Sequence, residues 1–161
     1  MTAKHSVLFV CLGNICRSTM AEGVFEHLVI DSAGTGDWYV GYPPDERTMK
    51  VLKKHGIHGY KHKGRLITQA DFTTFEYVFG MNHEIISDIT ELALANSTAK
   101  VALLGEFDPQ KELIIEDPYF TVLPPLSKPH GCFFFCVAFL AHHWKKKKNI
   151  YKVHPSAKVC M

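Results

Sequence analysis

The residues best suited to do chemistry lie near the start of the chain, in the run CLGNICRS at residues 11–18. Cysteine reacts as its thiolate, and an arginine guanidinium is a planar fork that can hold two oxygens of a phosphate. Cys11 and Arg17 are separated by a short loop that contains Gly13 and Asn14. Glycine lets backbone approach a ligand closely, and asparagine tolerates positive φ better than most residues. Ser18 follows with a hydroxyl that can donate to a thiolate. Together these residues predict a thiolate at Cys11 that attacks a phosphate held by Arg17 and forms a phosphocysteine. The spacing alone is a weak signal, since a buried strand-end cysteine and a surface arginine would satisfy it equally well.

The flanking elements favour the chemical reading. Residues 6–10 (SVLFV) form an apolar run suited to a strand buried on both faces. Behind the loop, Met20, Ala21, Val24, Phe25 and Leu28 recur at helical spacing, which predicts a helix over 18–29. A loop between such elements lies at the carboxyl end of a strand, where open parallel sheets bind ligands, and the helix start adds unpaired N–H groups and a positive dipole end. The reaction also needs an acid for the leaving oxygen. Asp117, in EDPY at 116–119, is the candidate general acid and then the base for water, although Asp-Pro by itself is more often a turn. A nucleotide-binding P-loop is excluded, because no Gly-Lys-Ser/Thr follows the turn. Cys132 and Cys136 have no further ligands at zinc-like spacing, so no metal is expected.

The remaining pattern supplies the frame. A strand is expected at 30–34, a Gly- and aromatic-rich loop at 35–42, and a helix opened by Pro43 and Pro44 that stops at Gly56. Thr68 and Asp71 resemble a capping box before a short helix; a strand at 77–81, a helix at 84–95 and a strand at 100–104 follow. Strands alternating with helices imply an α/β fold with a parallel sheet covered on both faces. A net charge of +2 with no basic, aromatic-interleaved stripe argues against a nucleic-acid partner. Five cysteines, an odd number, do not form a disulfide framework and suit a reducing, cytoplasmic setting. The apolar run at 7–12 reads as a first strand rather than a signal peptide. The apolar stretch at 132–141 would span roughly 15 Å as a helix, about half a bilayer core, so no transmembrane segment is expected. From residue 121 the sequence turns proline-rich, then apolar, then lysine-rich, which divides the chain into a domain at 1–120 and an atypical tail at 121–161.

VLFVCLGNICRS, DSAGTG, PPDERT, KKHGI, ITQADF, LLGEFDPQ and LIIEDPY occur in that order between residues 6 and 120. In these segments the chain resembles the low-molecular-weight protein tyrosine phosphatase (acid phosphatase) family. The resemblance implies a flavodoxin-like three-layer sandwich with a four-stranded parallel sheet of order 2-1-3-4. It implies hydrolysis of phosphotyrosine in proteins and of small aryl phosphates, without cofactor or metal. Cys11 would be the nucleophile, Arg17 the phosphate binder and Asp117 the general acid. Leu12, Gly13, Asn14, Ile15, Cys16 and Ser18 would line the phosphate, with Asn14, Ser18, Ser32 and His62 supporting the loop. Trp38 and Tyr39 fall where the family places substrate-contacting aromatics, and Tyr119 where it places the opposite wall. Cys16 matches a second loop cysteine that can form a protective disulfide with Cys11. Ile15 fits tyrosine phosphatases rather than the related arginine phosphatases, which carry threonine there. Each supporting residue has a plainer alternative: His62 lies between Lys61 and Lys63 as a solvated loop residue would, and Trp38 and Tyr39 could be ordinary loop packing.

The chain departs from the family at two places. Val29 runs directly into Ile30-Asp31-Ser32 with no connecting residues left over, so the first helix is expected to fray by a turn or the second strand to start late, straining Ser32 and the rim at Trp38. After Phe120 the tail replaces the family's terminal helix. These departures keep two competing readings in view. One is a catalytically impaired module that only binds phosphate or phosphopeptides. The other is a thiol redox protein built on Cys11 and Cys16.

Overall fold

The computed structural model describes residues 6–24, 29–108 and 111–117. Strand β1 (Ser6–Cys11) lies at the centre of a four-stranded sheet with β2 (Val29–Gly34), β3 (Tyr77–Gly80) and β4 (Lys100–Leu103), in the order β2-β1-β3-β4. Each neighbouring pair runs parallel. Val7, Leu8, Phe9 and Val10 are all fully buried, as an apolar run without polar alternation requires of a central strand. Successive side chains point to opposite faces. Val7, Phe9 and Cys11 therefore join one core with Met20, Ala21, Leu52 and Phe79, while Leu8 and Val10 join the other with Phe72, Ile85 and Ile89. The first core lies under α1 (Arg17–Val24) and α2 (Glu46–Lys54), the second under α3 (Asp71–Thr74) and α4 (His83–Leu92). This is the expected three-layer α/β sandwich.

Several boundaries differ from those the pattern predicts. α1 is helical through Val24, and β2 begins at Val29, one residue earlier than expected rather than late. The register Ser6↔Val29 draws this residue into the sheet. Residues 25–28, which stand between the two elements, are outside the described residues. Ser32 keeps a regular register opposite Phe9, and among the described residues the only non-glycine positive φ values are at Asn14 and Lys111, so no backbone strain of that kind falls on Ser32 or Trp38. α2 starts at Glu46 rather than at the prolines, because the Asp45 carboxylate caps it by accepting from the Arg47 N–H at 2.8 Å. Asn82 caps α4 in the same way through the Ile85 N–H, which starts that helix at His83 and leaves Met81 outside β3. A 3-10 turn at Leu104–Phe107, absent from the sequence reading, follows β4. At Thr68 the half of the capping box that reaches back is present: the Asp71 carboxylate accepts from the Thr68 N–H and hydroxyl.

Among the described residues no helix is long and apolar enough to cross a membrane. Tyr119, Cys132, Cys136, Cys160 and the division proposed between 120 and 121 lie outside the described residues.

Candidate active site

The loop at 12–16 leaves the carboxyl end of the central strand and enters α1 at Arg17. Its carbonyls are taken from outside: Cys11 O by the Thr35 N–H (3.0 Å), Leu12 O by the Gly36 N–H (2.8 Å), and Ile15 O by the Asp45 N–H (2.8 Å). Cys16 O accepts from the Met20 N–H and the Thr19 hydroxyl. In a trans peptide the N–H points opposite to the preceding C=O. The outer bonds therefore turn the N–H groups of Leu12, Gly13, Cys16 and Arg17 away from those partners, which leaves them available to an anion. Close approach is needed throughout. A Cβ on Gly34 would lie 2.7 Å from Leu12 O, and one on Gly13 would lie 2.9 Å from the Tyr39 ring.

Asn14 fixes the loop's shape. Its φ is 56°, in the left-handed region, and it is almost fully buried. In that conformation its backbone N–H donates to Cys11 Sγ at 3.3 Å. The Arg65 backbone N–H, which can only donate, meets the side-chain amide at 2.9 Å and so identifies the facing atom as Oδ1. His62 Nε2 reaches the same oxygen at 2.8 Å. Nδ2 then donates to Ser18 Oγ and Ser32 Oγ, both at 2.9 Å. Ser18 Oγ, accepting from Asn14, is left with its own proton for Cys11 Sγ at 3.0 Å. Asn14, Ser18, Ser32 and His62 thus share one hydrogen-bond network, and His62 is half-buried in it rather than solvated.

Arg17 is 3 % exposed, although it begins a helix. Its Nη1 donates to Ile115 O at 3.2 Å and its Nη2 to Asp117 Oδ2 at 2.8 Å. The segment at 111–117 is brought there by Ile115, whose N–H donates to Met81 O just past β3. Cys11, Leu12, Gly13, Ile15, Cys16, Trp38, Tyr39 and Asp117 line one cleft of about 260 Å³. Trp38 is largely exposed at its mouth, and the Tyr39 ring meets Tyr42 edge-on. Both rim aromatics are therefore where a substrate ring would enter. The cleft unites every expected substrate and catalytic residue that the structure describes apart from Arg17, Asn14 and Ser18, which stand behind its wall. Cys11 and Cys16 are free thiols. Burial, opposed by a weak hydrogen bond from Thr48, pushes the Cys16 thiol up to about 12.

Sequence reasoning missed the hub of the supporting network. Glu22 Oε2 accepts from Ser32 Oγ at 2.6 Å and from Tyr60 Oη at 2.8 Å, and lies 3.2 Å from His62 Nδ1. Burial acts to raise its pKa, but hydrogen bonds from His62, Ser32 and Tyr60 outweigh it and hold the carboxyl below its ordinary range. The available signal was spacing: Glu22 is four positions after Ser18 on α1 and shares its face. Nothing local marks Tyr60. Glu22, Asp31 and His62 come close enough to resemble a metal site, yet their ligand atoms are already engaged, Asp31 by Arg65 at 2.9 Å and Glu22 by its three donors.

A family model described as "Low molecular weight phosphotyrosine protein phosphatase" matches residues 6–123. A rat protein of that name is 50% identical over 129 residues, covering 73% of this chain and 81% of the rat protein. Among solved structures, YfkJ from Bacillus subtilis is similar with a TM-score of 0.80 and 31% identity, covering 91% of this chain and 98% of its own. A drosophila arginine phosphatase is similar with a TM-score of 0.73 and 35% identity, covering 89% of this chain and 99% of its own.

Proposed function

The chain belongs to the low molecular weight phosphotyrosine protein phosphatases, and from that premise we propose how its site hydrolyses phosphotyrosine in proteins and small aryl phosphates. The observation that carries the reading is the meeting in one cleft of Cys11, whose Sγ is held from behind by Ser18 and Asn14, and Asp117, which is held from behind by Arg17. A phosphate entering beside Tyr39 and Trp38 meets the turned N–H groups of the loop and takes the guanidinium of Arg17. The Cys11 thiolate attacks phosphorus, the bond to the aryl oxygen breaks, and Asp117 gives that oxygen a proton. Water then attacks the phosphocysteine, Asp117 accepts its proton, and inorganic phosphate leaves with the thiolate restored.

The lining supports an aryl ester. The walls next to Cys11 are Leu12, Ile15, Trp38 and Tyr39, which offer flat or apolar surface to a ring. Ile15 supports phosphotyrosine over phosphoarginine on the same ground. Tyr119, which the resemblance expects on the opposite wall, lies outside the described residues. No metal or cofactor enters this mechanism, and the working unit is the domain at 1–120, acting in the cytoplasm on phosphotyrosine proteins. Oxidation is expected to join Cys11 and Cys16 in a disulfide that silences and protects the nucleophile.

The test is hydrolysis of p-nitrophenyl phosphate by the full chain beside Cys11→Ser, with circular dichroism on both. Turnover in the first and none in the second, at equal fold content, is the expected result. Turnover that survives Cys11→Ser would exclude the thiolate mechanism. Tight phosphopeptide binding by a folded chain without turnover would establish the binding module instead.

A further inference from the structure

We propose that Tyr60 is a positioning residue for this reaction, acting through Glu22 and His62 to set the direction of the hydrogen bond that Ser18 gives to Cys11. The inference rests on Cys11 as nucleophile. Tyr60 lies well outside the cleft, half-buried against the core under α1, and its plain reading is packing. Its hydroxyl, however, donates to Glu22 Oε2 at 2.8 Å, and its ring stacks on His62 with the planes 1° apart and the centroids 6.5 Å apart. One tyrosine thus holds both partners of the Glu22–His62 contact.

The consequence follows from proton directions. Glu22 Oε2 can only accept while it is charged, so it fixes the Ser32 proton at 2.6 Å and leaves Ser32 Oγ to accept from Asn14. The same oxygen orients His62 by its Nδ1, which presents Nε2 to Asn14 Oδ1. Asn14 is then held from both ends of its amide, and Ser18 is left to donate to Cys11. A proton on Glu22 Oε2 would offer Ser32 a donor in place of an acceptor, and this order would be lost. Tyr60 opposes that protonation by supplying a hydrogen bond to the charged form.

Among the described residues, the charged and titratable surroundings of Glu22 are few. Tyr60 and His62 face it from the loop after α2, and Asp31 from β2, with Arg65 paired to Asp31 at 2.8 Å. α2, which packs beside α1, turns Thr48, Val51 and Leu52 inward, none of them titratable. Asp31 repels the Glu22 charge and Arg65 offsets that repulsion, so the hydrogen bonds from His62, Ser32 and Tyr60 tip the balance.

The experiment compares the full chain with Tyr60→Phe, Glu22→Gln and the double variant. The readouts are the rate at which iodoacetate inactivates Cys11, kcat and KM on p-nitrophenyl phosphate, and thermal stability. Tyr60→Phe keeps the stacked ring and removes one donor. Losing one hydrogen bond to a charged group is expected to slow inactivation and kcat about threefold to tenfold near pH 4.5, with KM little changed and no difference near pH 7. Because Tyr60 acts through the charge on Glu22, the double variant should be no slower than Glu22→Gln alone. Equal slowing at every pH, additive losses, or a lower melting temperature with unchanged rates would each overturn the proposal. If Tyr60→Phe does not fold, 3-fluorotyrosine placed at position 60, a stronger donor of nearly the same size, must move the acidic limb to lower pH; no shift overturns the proposal. Cys11→Ser run alongside separates the two inferences, since turnover surviving there refutes the nucleophile and not Tyr60.

Discussion

Arg17 cannot turn its whole fork to a phosphate while Nη2 holds Asp117 Oδ2 at 2.8 Å. The pair is sensible, because a guanidinium 3 % exposed needs an anion beside it. An incoming phosphate dianion would replace Asp117 as that anion and free its carboxyl from Arg17. Asp117→Asn is expected to lower kcat about 10²- to 10⁴-fold. The loss should be larger for phosphotyrosine than for p-nitrophenyl phosphate, whose leaving group needs less help. Inhibition by inorganic phosphate should hold or strengthen, because the competing carboxylate is gone. Weaker phosphate inhibition would show that Asp117 supports the anion site instead of competing for Arg17. Cys16 behaves in the opposite way to Cys11 within the same cleft. With its thiol pushed up to about 12 by burial, it should remain unlabelled when iodoacetate inactivates the enzyme at neutral pH, as peptide mapping can check.

Asp117 depends on an element that is neither helix nor strand. The segment at 111–117 is pinned by Ile115 to Met81 and passes so near Gly105 that a Cβ there would overlap the carbonyls of Glu112 and Leu113. Backbone cannot yield as a flexible side chain can, so Gly105→Ala should displace the segment. The expected cost is about 1–3 kcal/mol of stability, with kcat reduced more than KM because Asp117 moves and the cysteine loop does not. A variant with normal kcat and a lowered melting temperature would show that the segment's path is not what aims Asp117. This turn was not legible in the sequence, since its cause is a contact between stretches that have no shared pattern. The end of α1 shows the same limit. Phe25 and Leu28 extend the helical spacing, yet pairing with β1 claims Val29 for the sheet, and tertiary register overrides local periodicity. What could be read were features whose cause is local: the apolar run of β1, the strand–loop–helix setting of Cys11 and Arg17, and the alternation that makes the sheet parallel. In the site, residues within the motif were legible, and Ser32 and His62 were legible by resemblance. Glu22 and Tyr60 were not, because they meet across 38 positions and each alone looks like an ordinary helix glutamate and a packed aromatic.

At the scale of the whole molecule, Glu22 ties α1, β2 and the loop after α2 around one half-buried charge, so the site's support is also part of the fold's response to acid. Burial raises its pKa and the bonds from His62, Ser32 and Tyr60 lower it further than burial raises it, so the folded value is below the ordinary carboxylate value of 4.5. Near that value the unfolded chain therefore binds more protons than the folded one, and stability rises with pH. The contribution of Glu22 is fully present above the unfolded value and is lost as pH falls through the folded one. Asp45, lowered by its hydrogen bond to Arg47, acts in the same direction. Urea midpoints should accordingly be level from about pH 7 to about pH 5.5 and decline below about pH 4.5. Glu22→Gln should start lower at neutral pH, where it lacks the charge that its three donors face, and should decline less steeply in acid because one titrating group is gone. Parallel acid declines for the two proteins would mean that the three donors do not hold Glu22 charged. The order of protons from Ser32 through Asn14 to Cys11 would then need another cause.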